Sequence, residues 1–236
     1  MIKAIIFDCD GTLVDSEESH FTSWQRALQL WGAELILEEY LTFMMGQGGH
    51  KVGRLLAEKL GQNCAEELLA QKKAHYLEAV HKGLPSIEGT VRFARQLIQD
   101  REQHRLKLAV ASASPHHEIR THLQRLGLID SFDLILSGHE DLTDYSDPEG
   151  VNKPKPYIYL HAAKLLGVSP AECAVIEDSR PGVAAGVSAG CITIAVPNAF
   201  SQYQDLSHAT HRLETLADFT LERFLNFLRN SITISQ

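Results

Sequence analysis

Carboxylates, hydroxyl groups and one lysine follow short apolar segments at several points in this sequence. The residues concerned are Asp8, Asp10, Thr12, Ser112, Lys153, Glu177 and Asp178. Two charges about 4 Å apart repel by about 4 kcal/mol at an effective dielectric of about 20, so neighbouring carboxylates favour a bound cation. Oxygen ligands select a hard ion such as Mg²⁺, while hydroxyl groups, backbone amides and a lysine can hold phosphate oxygens. The inventory predicts Mg²⁺-dependent phosphoryl transfer, in which an aspartate can be the nucleophile.

The elements that position these residues are predicted from the hydrophobic pattern. Uniformly apolar segments, which are typical of strands buried on both faces of a parallel sheet, occur at 4–7, 106–111, 132–136, 173–176 and 191–196. Helical patterns separate the later segments, at 116–126, 157–166 and 181–189. The alternation predicts an α/β fold with a doubly wound, Rossmann-like parallel sheet. Ligands bind beyond the carboxyl ends of such strands, where the chemically active residues fall.

The long segment between Phe7 and Leu106 breaks this alternation. It contains no convincing strand, and its amphipathic stretches lie at 19–31, 51–60, 65–82 and 90–99. A crossover between parallel strands needs one helix, so the extra helices indicate an insertion. We predict an α-helical cap domain of residues 16–84, inserted into a catalytic core of residues 1–15 and 85–236.

Composition restricts the possible partners. The 236 residues include 22 Lys and Arg against 30 Asp and Glu, a net charge of −8, and no basic stripe that would favour nucleic acid. No apolar segment approaches the roughly 20 residues that span a bilayer, and the first residues lack signal-peptide features. Four scattered cysteines are typical of reduced thiols. We therefore expect a cytoplasmic protein, a monomer or weak dimer, without nucleic-acid or membrane partners.

Four segments resemble, in order, the four motifs of the haloacid dehalogenase superfamily. They are D-C-D-G-T-L-V-D-S-E at 8–17, V-A-S-A-S at 110–114, N-K-P-K-P at 152–156 and E-D-S-R-P-G-V-A-A-G at 177–186. The resemblance covers nearly the whole chain. It is strongest to the branch with a helical cap between the first two motifs, which contains β-phosphoglucomutase and many sugar-phosphate phosphatases.

The resemblance implies a role for each motif residue. Asp8 would be the nucleophile that becomes phosphorylated, and Asp10 the general acid and base, with its backbone carbonyl on Mg²⁺. Asp8 and Asp178 would be metal ligands, and Glu177 a further one, either directly or through water. The residues implied to bind the phosphoryl group are Thr12, Ser112, Ala113 and Lys153. Lys153 would also hold Asp8 in place and so count among the catalytic residues.

Three cap residues are implied to contact substrate. His20 and Lys72 match cap positions of the mutase branch, and Gly46 opens a glycine-rich turn. We expect a phosphatase that acts on a small phosphorylated metabolite, a sugar or polyol phosphate, through an aspartyl-phosphate. A phosphomutase is the alternative, although the arginine that mutases place three residues after the cap-loop glycine is Gly49 here. Asp10 argues against a dehalogenase, and the helical insertion against a phospho-aspartate signalling module.

Overall fold

The protein consists of two compact units in the computed structural model, which describes residues 1–232 and the side chains of residues 1–229. The core unit combines Met1–Asp15 with the chain from Ser86 onwards, and the cap unit is Ser16–Pro85. The sequence prediction assigned Pro85 to the core, but the chain rejoins the core at Ser86. At that point Ser86 forms a β-bridge with Val14.

A parallel sheet forms the centre of the core unit. The six strands found in residues 1–232 are β1 Ala4–Phe7, β2 Lys107–Ser112, β3 Leu134–Ser137, β4 Cys173–Glu177, β5 Ile192–Ala195 and β6 His211–Arg212. Their spatial order is β3-β2-β1-β4-β5-β6. β1 pairs with β2 and β4 in parallel, with Ala4 opposite both Lys107 and Cys173. Every side chain of β1 and β4 is buried, which explains why these strands are apolar up to Glu177, the last residue of β4.

The cap unit is helical. Its helices are α1 Glu17–Gln29, the short α2 Leu37–Glu39, α3 Gly49–Leu60 and α4 Ala65–Lys82, with a π-helical turn at Tyr40–Met44. α1 buries Trp24 and Leu28, and α4 buries Leu68 and Tyr76. These apolar positions recur at helical spacing, so each helix buries one face and exposes the other.

Helices cover both faces of the sheet in the core unit. They are α5 Glu88–His104, α6 His116–Arg125, α7 Tyr157–Leu166, α8 Arg180–Ser188 and α9 Leu221–Ile232. Ile6 points into the apolar cluster that contains Tyr159 of α7. The next residue, Phe7, points to the other face, where its ring lies 6.5 Å from that of Phe93 in α5. Phe93 in turn contacts Phe224 of α9 at 4.9 Å.

This architecture confirms the predicted doubly wound α/β fold. In the core unit, β6, which contains only two residues, and α9 at the end of the described chain were not predicted. In the cap unit, the short α2 and the π-helical turn were not predicted either. The predicted strand at 132–136 was placed early, since β3 begins only at Leu134. Within residues 1–232, no helix combines the length and apolar character needed to cross a membrane.

Candidate active site

The carboxyl ends of three neighbouring strands bring the predicted polar residues together. Asp8 follows β1, Ser112 ends β2, and Glu177 ends β4 with Asp178 next to it. The backbone N–H of Asp8 donates to the carbonyl of Ile176 at 2.9 Å, which continues the sheet pairing into the site. Asp8, Ser112, Glu177 and Asp178 are all buried.

Lys153 links two of these carboxylates. Its Nζ donates to Asp8 Oδ1 at 2.6 Å, to Glu177 Oε1 at 2.7 Å and to the carbonyl of Ala111 at 3.1 Å. The lysine side chain is 8% exposed, so this ammonium is compensated by carboxylates rather than by bulk water. Burial alone would lower the pKa of Lys153, but Asp8 and Glu177 hold it well above its usual value.

Glu177 accepts hydrogen bonds on both carboxylate oxygens. Besides Lys153, the phenol of Tyr159 donates to Oε1 at 2.6 Å. Oε2 accepts from the backbone N–H groups of Asp178 and Ser179, at 3.1 and 3.3 Å, and from the Ser179 hydroxyl at 3.1 Å. A buried carboxylate needs such donors to offset the loss of its hydration. Glu177 is therefore held in one orientation, with one oxygen directed at Lys153.

A tight turn follows β1 and brings Asp10 back toward the sheet. Within it, Gly11 donates to the Val14 carbonyl at 2.7 Å, and Leu13 donates to the Cys9 carbonyl at 2.9 Å. Gly11 has φ +77°, and a Cβ on it would lie 2.5 Å from Asp178 Oδ2. Both the left-handed backbone and the close approach of Asp178 require glycine here.

Asp10 contacts the turn after β2. Its Oδ2 accepts from the hydroxyl groups of Ser112 and Ser114, at 3.2 and 2.7 Å. The Ser114 backbone N–H donates in turn to Ser112 Oγ at 3.0 Å. The predicted phosphate-binding residue Ala113 lies exposed between the two serines. Among the described side chains, the Thr12 hydroxyl is buried without a hydrogen-bond partner.

Asn198, in the loop after β5, supports the other side of the site. Its Nδ2 donates to Asp178 Oδ2 at 2.9 Å and to the Gly11 carbonyl at 3.0 Å. Its Oδ1 accepts from the backbone N–H groups of Phe200 and Ser201, at 2.8 and 2.9 Å, which fixes the amide orientation. One side chain thus joins a carboxylate, the turn after β1 and its own loop.

The acidic residues fit a hard cation. Oxygen atoms of Asp8, Glu177 and Asp178 all lie within 4.8 Å of one another, and the three residues are buried. Burial raises the pKa of Asp8 to about 8; Lys153 opposes that rise, and the neighbouring Glu177 and Asp10 add to it. A cation would favour the ionised carboxylate, and an all-oxygen donor set suits Mg²⁺.

Two of the predicted substrate contacts, His20 and Lys72, form a cluster with Tyr76 within the cap unit. Lys72 Nζ lies 2.8 Å from His20 Nδ1, and the His20 ring stacks on Tyr76 with ring centres 4.0 Å apart. The Lys72 ammonium also lies 4.4 Å from the centre of the Tyr76 ring. Gly46 has φ +74° in the turn before α3. The proposed contacts of His20, Gly46 and Lys72 with substrate stay predictions.

The core unit thus brings together the predicted residues Asp8, Asp10, Ser112, Lys153, Glu177 and Asp178. Four residues in contact with them were assigned no role from the sequence. They are Ser114, Tyr159, Ser179 and Asn198. Asn198 follows the end of β5, so the rule that sites form at the carboxyl ends of strands could have indicated it. Nothing in the sequence indicated a role for Tyr159, because it lies on the buried face of α7 like an ordinary core residue.

Comparison with known proteins identifies the family of this chain. A model of haloacid dehalogenase-like hydrolases matches residues 2–190. YhcW of Bacillus subtilis (strain 168), whose name suggests phosphatase activity, is 33% identical over 234 residues, 98% of this chain and 99% of that protein. Beta-phosphoglucomutase of the same organism is 32% identical, over 94% of this chain and 93% of that protein.

Two further relatives come from other organisms. The phosphorylated carbohydrates phosphatase of Thermotoga maritima is 30% identical over 80% of this chain and 82% of that protein. The crystal structure of CbbY from Rhodobacter sphaeroides in complex with phosphate has a TM-score of 0.76 and 24% identity, and covers 94% of this chain and 99% of that one. This structural likeness supports the fold.

Proposed function

The chain belongs to the haloacid dehalogenase-like hydrolase family, and from that premise we propose that it hydrolyses a sugar or polyol phosphate through an aspartyl-phosphate. It is a phosphatase, a phosphoric monoester hydrolase. The substrate class is supported by the names of two relatives, a phosphorylated carbohydrates phosphatase and a beta-phosphoglucomutase. The covalent route is supported by the position of Asp8 within the site.

The contact between Lys153 and Asp8 carries the proposal. The Lys153 ammonium lies 2.6 Å from Asp8 Oδ1 and also binds Glu177. These contacts fix the orientation of the Asp8 carboxylate. We assign Asp8 the attack on phosphorus, because a positioned carboxylate can accept a phosphoryl group. Lys153 would compensate the charge of the transferring group, and the Ser112 hydroxyl would hold one of its oxygens.

Asp10 would move the protons. In the first step it would donate a proton to the oxygen of the leaving alcohol, while Asp8 forms the bond to phosphorus. In the second step the ionised Asp10 would take a proton from water, and that water would cleave the aspartyl-phosphate. The hydrogen bond from the Ser114 hydroxyl supports this role, because it limits the rotation of the carboxyl group when the single O–H of Ser112 turns from Asp10 to a phosphoryl oxygen.

A metal ion would complete the site. We propose that Asp8, Asp178 and the backbone carbonyl of Asp10 would hold Mg²⁺. Glu177 would contribute through water, since both of its oxygens already accept from protein donors. When bound, Mg²⁺ would offset the charge of the carboxylates and of the phosphoryl oxygens. Asn198 would keep Asp178 turned toward this position.

Phosphomutase activity is the second candidate, because a beta-phosphoglucomutase is among the relatives. A mutase must hold a second phosphate while a bisphosphate intermediate turns over, and an arginine suits that task. Gly49, at the position where mutases are expected to have this arginine, starts α3, and a Cβ there would lie 2.9 Å from Leu69 Cδ1. The chain thus lacks this arginine, and a larger side chain at position 49 would meet Leu69. Both observations support hydrolysis as the net reaction.

A panel of phosphate monoesters tests the proposal. With Mg²⁺ present, release of inorganic phosphate from sugar and polyol phosphates is expected, with weak or no release from nucleotides. Addition of β-glucose 1-phosphate with a trace of the 1,6-bisphosphate separates the two candidates. Phosphate release is expected there, whereas formation of glucose 6-phosphate without matching phosphate would favour the mutase. No turnover of any ester would contradict the proposed function.

A further inference from the structure

A buried tyrosine lies behind the catalytic lysine. Tyr159 of α7 has no exposed surface, and it packs in the apolar cluster with Ile6 and Ala109 of the sheet. Its hydroxyl group nevertheless points to the site and donates to Glu177 Oε1 at 2.6 Å. A phenol so enclosed cannot reach a substrate. Any effect of this hydroxyl group on the reaction must pass through its carboxylate partner.

That partner connects Tyr159 to the proposed nucleophile. Glu177 Oε1 accepts from Tyr159 at 2.6 Å and from Lys153 at 2.7 Å, and Lys153 donates to Asp8 at 2.6 Å. A carboxylate oxygen offers two lone pairs, so these two donors together satisfy Oε1. The hydrogen bonds form a continuous series from the core of the protein to Asp8.

The Tyr159 ring makes a second contact with the same lysine. Lys153 Nζ lies 5.1 Å from the centre of the ring, within the range of a cation–π interaction. The ring therefore limits the position of the ammonium on one side, while the hydroxyl group fixes the carboxylate that binds it. Removal of the hydroxyl group alone would leave the ring contact and the packing in place.

We propose that Tyr159 is a positioning residue for the phosphatase reaction, acting through Glu177 to set the place of Lys153 relative to Asp8. This inference rests on the proposed function of the site. The short hydrogen bonds from Tyr159 to Glu177 and from Lys153 to Glu177 and Asp8 join buried groups, so they allow little displacement of the Lys153 ammonium. Displacement of a catalytic group by about 1 Å can slow an enzymatic step about a hundredfold.

The chain offers a matched pair of tyrosines on α7 for the test. Tyr159→Phe removes the hydroxyl group that binds Glu177, and Tyr157→Phe removes one that donates to Asp147 Oδ2 at 3.0 Å, outside the site. We expect kcat for p-nitrophenyl phosphate to fall about tenfold in Tyr159→Phe, with KM changed less than about twofold. Tyr157→Phe should match the wild type in both constants.

Anion binding gives a readout that does not depend on turnover. Calorimetry with Mg²⁺ present would measure the binding of orthovanadate and of inorganic phosphate. Orthovanadate becomes five-coordinate when a nucleophile binds to it, and it then resembles the transferring group in the transition state. Tyr159→Phe should weaken vanadate binding about tenfold and phosphate binding much less, because a misplaced Lys153 affects the transition state most. Equal binding of both anions by Tyr159→Phe and the wild type would overturn the proposal.

A double-variant cycle tests the route through Glu177. If Tyr159 acts through that carboxylate, Tyr159→Phe should have no further effect on vanadate binding in a Glu177→Ala background, which lacks the acceptor for both Tyr159 and Lys153. The same tenfold loss in both backgrounds would show a role independent of Glu177 and overturn the proposal. If the wild type hydrolysed no ester, the proposed function would fail, whereas the vanadate measurements would still decide the role of Tyr159.

Discussion

The carboxylate of Glu177 occupies the space beside Gly182 in which any other residue would place its Cβ atom. A Cβ built on Gly182 would lie 1.9 Å from both Cδ and Oε1 of Glu177. Gly182 lies in the first turn of α8, where its backbone N–H donates to the Ser179 hydroxyl at 3.3 Å. The start of this helix is therefore packed directly against the residue that binds Lys153.

Gly182→Ala should disrupt this packing. Glu177 is held by Lys153 and Tyr159 and cannot move aside, so the methyl group must displace the helix or break those hydrogen bonds. Overpacking of this kind costs about 1–3 kcal/mol of unfolding free energy, and turnover should fall with it. Urea unfolding would measure the first effect and phosphate release the second.

Gly48→Ala is the control for the stability measurement. Gly48 has φ −61°, and no atom lies within 4 Å of a Cβ built there. Its substitution should leave the unfolding free energy within about 0.5 kcal/mol of the wild type. Equal stability and activity of Gly182→Ala and the wild type would show that Glu177 can adopt another position.

Asp8→Asn should abolish turnover while the fold is retained. The amide keeps the shape of the side chain but removes the nucleophile. Because burial raises the pKa of Asp8 to about 8, loss of its charge should not lower the unfolding free energy greatly. Phosphate release and thermal unfolding would be compared with those of Asp144→Asn, a change at an exposed carboxylate. Residual turnover above a few per cent would contradict the covalent route.

Much of the fold could be predicted because its strands are buried on both faces. The four residues of β1 and the five of β4 have no exposed side chain, so their composition identifies them without any tertiary information. β6 has no such pattern. His211 and Arg212 become a strand only because they pair with Ile194 and Ala195 of β5, which is a consequence of the folded sheet.

The residues of the site likewise differ in whether the sequence alone could indicate them. Asp8 and Glu177 could be placed because they end strands whose carboxyl ends share one edge of the sheet. Tyr159 has the spacing of an ordinary core residue on α7, and only the folded distance to Glu177 distinguishes it. Asn198 follows β5, so the same rule could have placed it at this edge, but its contact with Asp178, 20 positions earlier, is visible only in the folded protein.

Ser114→Ala should slow turnover without loss of stability. The Ser114 hydroxyl donates to Asp10 Oδ2 at 2.7 Å, and the Ser112 hydroxyl donates to the same oxygen at the longer distance of 3.2 Å. Ser114→Ala therefore removes the shorter of these two hydrogen bonds. A less restricted Asp10 should lower kcat about tenfold, equivalent to about 1.4 kcal/mol of transition-state stabilisation. The measurement is kcat and KM for a phosphate ester.

Ser86→Ala is the matched control, because that hydroxyl group donates to Glu88 at the surface of the core unit. It should leave kcat unchanged. Equal kcat values for Ser114→Ala and Ser86→Ala would indicate that Asp10 is oriented without the Ser114 hydroxyl.

Asp178→Asn should raise the Mg²⁺ requirement more than it affects folding. The amide oxygen can still accept from Asn198, but one negative charge is lost from a cluster whose oxygens lie within 4.8 Å. The Mg²⁺ concentration for half-maximal activity should rise about tenfold or more, and the unfolding temperature without added metal should stay equal or increase. Asp130→Asn, at an exposed position, should change neither. Full activity of the wild type in excess chelator would remove the metal from the mechanism.

His122 should make the protein sensitive to acid. It is buried in α6, and its Nε2 has no hydrogen-bond partner among the described side chains. Burial lowers its pKa; Arg125 lowers it further, and Asp10 opposes this. Below pH about 6.5, the usual pKa of histidine, the imidazole is protonated in the unfolded chain but stays neutral in the folded protein. The free energy of unfolding therefore falls as the pH falls from that value toward the lowered pKa of the folded protein. Each pH unit in this window costs up to about 1.4 kcal/mol.

His122→Leu should remove this part of the pH dependence. Urea unfolding would be measured at pH 7 and pH 5 for the wild type, for His122→Leu and for His117→Gln, an exposed change on the same helix. The stability difference between pH 7 and pH 5 should be smaller in His122→Leu than in the wild type, and unchanged in His117→Gln. An identical loss on acidification in all three proteins would mean that His122 is protonated in the folded state as readily as in the unfolded chain.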